Sequence, residues 1–119
     1  MKTAELTGAA LDWAVATANG DYPQWDAEWE VFYAANGDDM DYSTNWSQGG
    51  PIIERERIAV TPITVTVGSN AGKREWFANY MDNGQAGPWA DGDTPLIAAM
   101  RCYVASKLGD EVEIPKELN

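Results

Sequence analysis

Residues 94–109 carry a helix with both ends marked. Thr94 is a good N-cap, and Pro95 follows at the first helical position, where its missing N–H costs nothing. Asp91 and Asp93 stand near the positive end of the helix dipole. Lys107 sits in the last turn, and Gly109 ends the run. Leu96, Ala99, Met100, Tyr103, Val104 and Leu108 fall on one stripe at helical spacing, so this helix needs a large apolar partner. A second helix is expected over Leu6–Asn19, with Thr7 as its cap and many alanines. Leu6, Ala10, Trp13, Ala14 and Thr17 share a stripe, with Leu11, Val15 and Ala18 beside it. Asn19-Gly20 is a good stop.

The partner for these helices is a sheet. Ile63, Val65 and Val67 alternate with Thr64 and Thr66, and Trp76, Ala78 and Tyr80 alternate with Phe77 and Asn79. Gly68-Ser69-Asn70-Ala71-Gly72 between them is a turn, so the pair is expected as an antiparallel hairpin. Trp29, Val31 and Tyr33 alternate with Glu28, Glu30 and Phe32, as in a strand with one buried face, and Asn36-Gly37-Asp38-Asp39 is a turn. Residues 42–51 and Asn83-Gly84 to Gly92 read as loops, the first holding Tyr42 and Trp46 and the second Trp89. Residues 51–58 fit a short helix begun by Pro51 or a strand. Val112 and Ile114 suggest a final strand stopped by Pro115. The expected class is α+β: two main helices packed on a small, mainly antiparallel sheet, with long aromatic-containing loops. The 119 residues suit a single domain, 1–119.

Charge excludes several functions. Eight basic residues against nineteen acidic ones leave a net charge of −11. A nucleic-acid binder neutralises phosphates with Lys and Arg, so direct nucleic acid binding is not expected, nor is docking on anionic lipid. No apolar run approaches the ~18 residues of a membrane span, and no basic-then-apolar signal opens the chain. The reading is a protein without a membrane role, inside the cell. The acids are unevenly placed: residues 1–53 carry nine acids and one base. That reads either as a solvated surface or as a face that attracts a basic partner or imitates DNA.

The chemistry-bearing residues are few. There is no His, so imidazole mechanisms are excluded, and one Cys excludes disulfide scaffolds and cysteine zinc sites. Cys102 lies among apolar helix neighbours and has no evident base to activate it. Residues 68–74 imitate a phosphate loop, but the glycine spacing is one residue short, and Arg74 stands where Ser or Thr would bind magnesium. Asp39, Asp41, Ser43 and Asn45 imitate a calcium loop, but Thr44 and Gly50 replace its required Gly and Glu. Glu54 with Glu56, and Asp91 with Asp93, are the carboxylate pairs that acid–base catalysis would use. The first alternates with Arg55 and Arg57 as a salt-bridged surface does, and the second suits a helix N-terminus. No catalytic residue, metal ligand or cofactor is therefore assigned, and an enzyme remains the less favoured class.

Aromatic residues are what remain. Trp13 and Trp29 fall on expected core faces. Tyr42, Trp46 and Trp89 lie in polar, Gly-rich stretches, where they fit either lids over the core or a recognition surface. Indole faces stack ligands, Ser43, Asn45 and Gln48 supply neutral hydrogen bonds, and Gly50 admits close backbone approach. Arg101 supplies charge, or else pairs with Asp91, Asp93 or another acid. The candidate ligand-binding set is Tyr42, Ser43, Asn45, Trp46, Gln48, Gly50, Trp89 and Arg101.

Three blocks, Leu6–Ala16, Tyr42–Glu56 and Thr94–Gly109, together resemble the NinX-like family of tailed-phage and prophage accessory proteins, a domain of unknown function. Residues 21–41 and 59–93 match more loosely. The resemblance implies a non-virion protein acting in the host bacterial cytoplasm, with no established reaction and no residue roles to carry over. Two expectations stand beside each other. One is a non-catalytic module that sequesters a small nucleotide-like ligand against host defence, with an oligomer able to complete its pocket. The other is an acidic inhibitor or DNA mimic that binds a host defence protein.

Overall fold

The computed structural model describes residues 1–82 and 85–118. In chain order it contains helix α1 (Gly8–Ala18), strands β1 (Gln24–Asp26) and β2 (Val31–Tyr33), and helix α2 (Trp46–Glu56). Strands β3 (Ile58–Thr64), β4 (Arg74–Asp82) and β5 (Gln85–Gly92) follow, then helix α3 (Pro95–Leu108). β1 and β2 make a separate antiparallel pair, and β3-β4-β5 make a three-stranded antiparallel sheet. The α+β class holds, with three α-helices among the described residues rather than two.

α3 is the centre of the packing. Thr94 caps it by accepting from the Ile97 N–H at 3.1 Å, Pro95 opens it, and Gly109 ends it at φ +88°. Leu96, Ala98, Ala99, Met100, Cys102, Tyr103 and Val104 are all buried, so apolar contact surrounds most of its circumference. The sheet meets it with small residues. Ala78 pairs with Ala90 across β4 and β5, and both are buried. A side chain at Gly92 would stand 2.8 Å from the backbone nitrogen of Ala98, so only glycine lets β5 run this close to the helix. α1 covers another flank and buries Leu11, Ala14, Val15 and Ala16. Each fully buried Leu or Val contributes on the order of 1.5–3 kcal/mol.

Several sequence expectations are corrected. The stretch read as a loop over 42–51 is helical from Trp46 onward, so Pro51 lies inside α2 rather than opening a helix. Asn45 caps α2 by accepting from the Ser47 N–H at 2.9 Å. Gln48 ties its first turn to the Asp41 N–H at 2.7 Å and the Asp39 carbonyl at 2.9 Å. These local bonds offset a glycine- and proline-containing sequence that favours no helix. Residues 85–92 form strand β5 instead of a loop, with a register shift opposite Asn79–Met81 beside Pro88. The Asn83-Gly84 start of that expected loop lies outside the described residues. β3 begins at Ile58 and stops at Thr64, and Val67, read as part of the strand, is exposed. Trp29, read as core, stands in the β1–β2 turn with 76% of its surface exposed.

The expected hairpin turn over residues 68–72 is present, with Gly68 at φ +82° and Gly72 at φ +93°. The final strand is not formed. Glu111 makes one isolated bridge with Lys2, and Val112 exchanges two hydrogen bonds with Met1, both at 2.9 Å. No helix among the described residues is long and apolar enough to cross a membrane.

Adjacent glycines in α2 should respond oppositely to the same substitution. A methyl at Gly49 would meet the Tyr42 carbonyl oxygen at 2.5 Å and Leu96 Cδ2 at 2.6 Å, and the first is backbone that cannot rotate away. Gly49→Ala should cost about 1–3 kcal/mol. At Gly50 the nearest atom is Trp46 Cε3 at 3.9 Å, an ordinary contact. Gly50→Ala should be neutral or stabilise by up to about 1 kcal/mol, through lower chain entropy in the unfolded state. Urea midpoints at unchanged slope measure both.

Candidate functional site

The larger of the two cavities that contain predicted site residues runs beside edge strand β5, with a volume of about 510 Å³. Trp89, Asp91 and Arg101 line it, with Lys2, Asp110 and Glu111 from the two chain ends. β5 brings Trp89 here because Ala90 faces the core, so its sequence neighbour faces away. Trp89 is 64% exposed and stacks on Phe77, with centroids 5.6 Å apart and planes at 26°. Arg101 projects from α3, where it donates through Nε to the Leu6 carbonyl at 2.8 Å and through Nη1 to the Asp91 carbonyl at 2.9 Å. Both acceptors are backbone oxygens, and Arg101 forms no ion pair among the described residues. The sequence also allows Arg101 an ion pair with Asp91 or Asp93. It binds the backbone of Asp91 instead, and the Asp93 carboxylate takes Lys73 at 3.1 Å. Two cations and three carboxylates line the groove, so its charge is close to balanced.

The other predicted residues lie elsewhere. Ser43 and Trp46 line a smaller cavity of about 240 Å³ beside the first turn of α3, away from Trp89 and Arg101. Trp46 is exposed there. Ser43 is buried, and its N–H donates to Asp12 Oδ1 at 2.8 Å. Tyr42 is also buried, and its hydroxyl donates to Asp21 Oδ2. Burial and then that bond push the Tyr42 phenol far above its ordinary pKa. Asn45 is the α2 cap, both atoms of the Gln48 amide bond the backbone of Asp39 and Asp41, and Gly50 is half-buried beside Trp46. The eight residues therefore divide between one groove, one small cavity and the internal bonding of the 39–50 segment.

A polar cluster at the other end of α3 was not anticipated. Glu56 accepts from Tyr80 Oη at 3.1 Å, Lys107 Nζ at 3.3 Å and Arg55 Nε at 3.2 Å. Arg55 also donates to Asn19 Oδ1 at 2.8 Å and to Tyr103 Oη at 3.2 Å. Burial works to raise the Glu56 pKa, but hydrogen bonds from Arg55, Lys107 and Tyr80 outweigh it and hold the carboxyl below its usual value. The sequence shows Glu56 only as one of an alternating charged run, and nothing there reveals contacts from β4 and α3. Cys102 lies buried behind β5 and donates through Sγ to the Pro88 carbonyl at 3.2 Å. Burial pushes its thiol up to about 12. It is a small buried side chain with no thiolate to offer at neutral pH.

A model of the bacteriophage P22 NinX family matches residues 2–107, and the chain belongs to that family. None of the curated proteins matches it.

Asp12 gives a pH-dependent test of the segment that carries Ser43. Burial raises its pKa above 3.8, while bonds from the Ser43 backbone and hydroxyl pull it partly back. An acid raised in the folded state favours folding while protonated. That stability is full below the unfolded value near 3.8 and is lost as pH rises through the folded pKa. Asp12→Asn keeps an oxygen for the Ser43 N–H and removes the buried charge. It should be at least as stable as the parent at neutral pH, with a flatter profile above pH 3.8. Asp12→Ala leaves that N–H unpaired and should cost about 1–3 kcal/mol. Denaturant melts across acidic to neutral pH separate the three proteins.

Proposed function

We propose that this NinX-family chain is a non-catalytic binding module that acts in the host bacterial cytoplasm and sequesters a small nucleotide-like ligand to counter host defence. The observation that carries the reading is the groove beside β5, lined both by an exposed indole stacked on Phe77 and by a guanidinium held in place by two backbone carbonyls. Its volume of about 510 Å³ lies within the range of small-molecule sites, ~300–1,000 Å³. A planar base would stack on Trp89, while one anionic group would face Arg101 and Lys2. Asp91, Asp110 and Glu111 oppose a chain of phosphates, so the ligand class is narrowed to those presenting one phosphate charge to the groove. Phage membership supplies the biological setting.

Thermal-shift and titration measurements with mononucleotides and cyclic dinucleotides test the reading. A ligand held at 100 times its Kd should stabilise the folded protein by about 2.7 kcal/mol. Trp89→Ala should weaken binding about ten-fold, since stacking is worth roughly 1–3 kcal/mol per base. Arg101→Lys keeps the charge, loses the oriented fork, and should also weaken binding. No shift with any compound, together with a bare mass for protein isolated from infected cells, would overturn the proposal.

A further inference from the structure

We infer that the β1–β2 hairpin is a docking arm for a protein whose surface places an apolar pocket inside a basic rim. Among the described residues, seven large hydrophobic side chains are exposed; Trp29 and Val31 fall within this arm, and Tyr22 stands just before it. Tyr22 is 72% exposed, Trp29 76% and Val31 50%. Three exposed apolar side chains within ten residues of chain give this element apolar surface to offer a partner.

The arm is built to hold that surface outward. Trp25 and Phe32 are cross-strand partners with ring centroids 4.9 Å apart, and they stiffen the hairpin from within. Asp26 Oδ1 accepts from the Glu28 N–H at 2.9 Å and the Trp29 N–H at 3.1 Å, which fixes the turn. The base is anchored where Asp21 accepts from Asn19 Nδ2 at 2.9 Å and from the Tyr42 hydroxyl. β1 and β2 pack mainly on each other. An exposed Trp carried on a fixed turn has little backbone entropy left to lose on binding and suits an anchor role.

Charge decides the occupant. No Lys or Arg occurs between Lys2 and Arg55. Glu28, Glu30, Asp38 and Asp39 are exposed on or beside the arm, and none takes part in an ion pair among the described residues. A second copy would bring the same acids against these, and an anionic lipid surface would be repelled as well. No group of three or more Asp or Glu among the described residues could hold a metal ion, so a bare cation does not explain the patch. A basic protein surface satisfies both the charge and the exposed indole. This inference concerns a different surface from the groove and does not depend on it. It gives the acidic-inhibitor expectation named residues.

The test places a photo-cross-linking phenylalanine derivative at position 29, with Val67, exposed in the other hairpin, as the control position. The full chain is irradiated in infected cells, and the cross-linked partner is then purified for binding measurements. The expected result is a cross-link specific to position 29 that maps to a Lys- or Arg-bearing surface of another protein. Affinity for that purified partner should fall about ten-fold or more in Trp29→Ala. It should weaken between about 50 and about 300 mM salt, and that salt dependence should shrink in Glu28→Gln/Glu30→Gln. Cross-linking to another copy of this chain, equal labelling from position 67, or a partner indifferent to Trp29→Ala and to salt would each overturn it. Unchanged melting of the variants, whose side chains are all exposed, separates lost docking from lost folding.

Discussion

Burial of α3 on nearly all sides is the constraint that the rest of the fold obeys. A helix this apolar is stable only if other elements cover it, and the three-stranded sheet, α1 and α2 do so. Small residues set the distances. Ala78, Ala90 and Gly92 on the sheet let its backbone approach closely, and Gly49 does the same where α2 crosses Tyr42 and Leu96. The groove beside β5 follows from this arrangement. Arg101 is on the helix, Asp91 is on the strand, and a side chain-to-backbone bond spans the gap between them.

Where a segment's own residues decide its structure, the sequence was readable. Thr94, Pro95 and Gly109 mark the ends of α3 because capping is local, and the 68–72 turn is legible for the same reason. β5 is different. Its sequence, Gln-Ala-Gly-Pro-Trp-Ala-Asp-Gly, has little strand propensity and extends because β4 supplies a template. α2 starts at Trp46 because Asn45 and Gln48 bond backbone on both sides of the helix start, although two glycines and a proline follow. Trp29 breaks the rule that alternating aromatics face a core: its strand pair is three residues long on each side, and the two strands pack mainly on each other.

The candidate site was legible in its chemistry more than in its placement. Trp89 and Arg101 were identifiable as a stacking face and a cation, and they share the groove. Tyr42 and Ser43, read from the same polar stretch as Trp46, turn inward to Asp21 and Asp12. Those two acids lie 21 and 31 residues away in the chain, and no local pattern announces such partners. The Glu56 cluster was hidden likewise, since it joins α2, β4 and α3. Membership in the P22 NinX family places the chain among phage proteins and leaves its chemistry to be argued from this surface.

The buried thiol offers a use unrelated to catalysis. Cys102 is the chain's one cysteine, is fully enclosed, and has its Sγ held against the Pro88 carbonyl of edge strand β5. An alkylating reagent can reach it only when β5 and α3 separate. Its labelling rate is therefore a clock for that one opening event, read without any engineered probe. Anything that seals the seam between strand and helix would slow the clock, whatever its chemical identity.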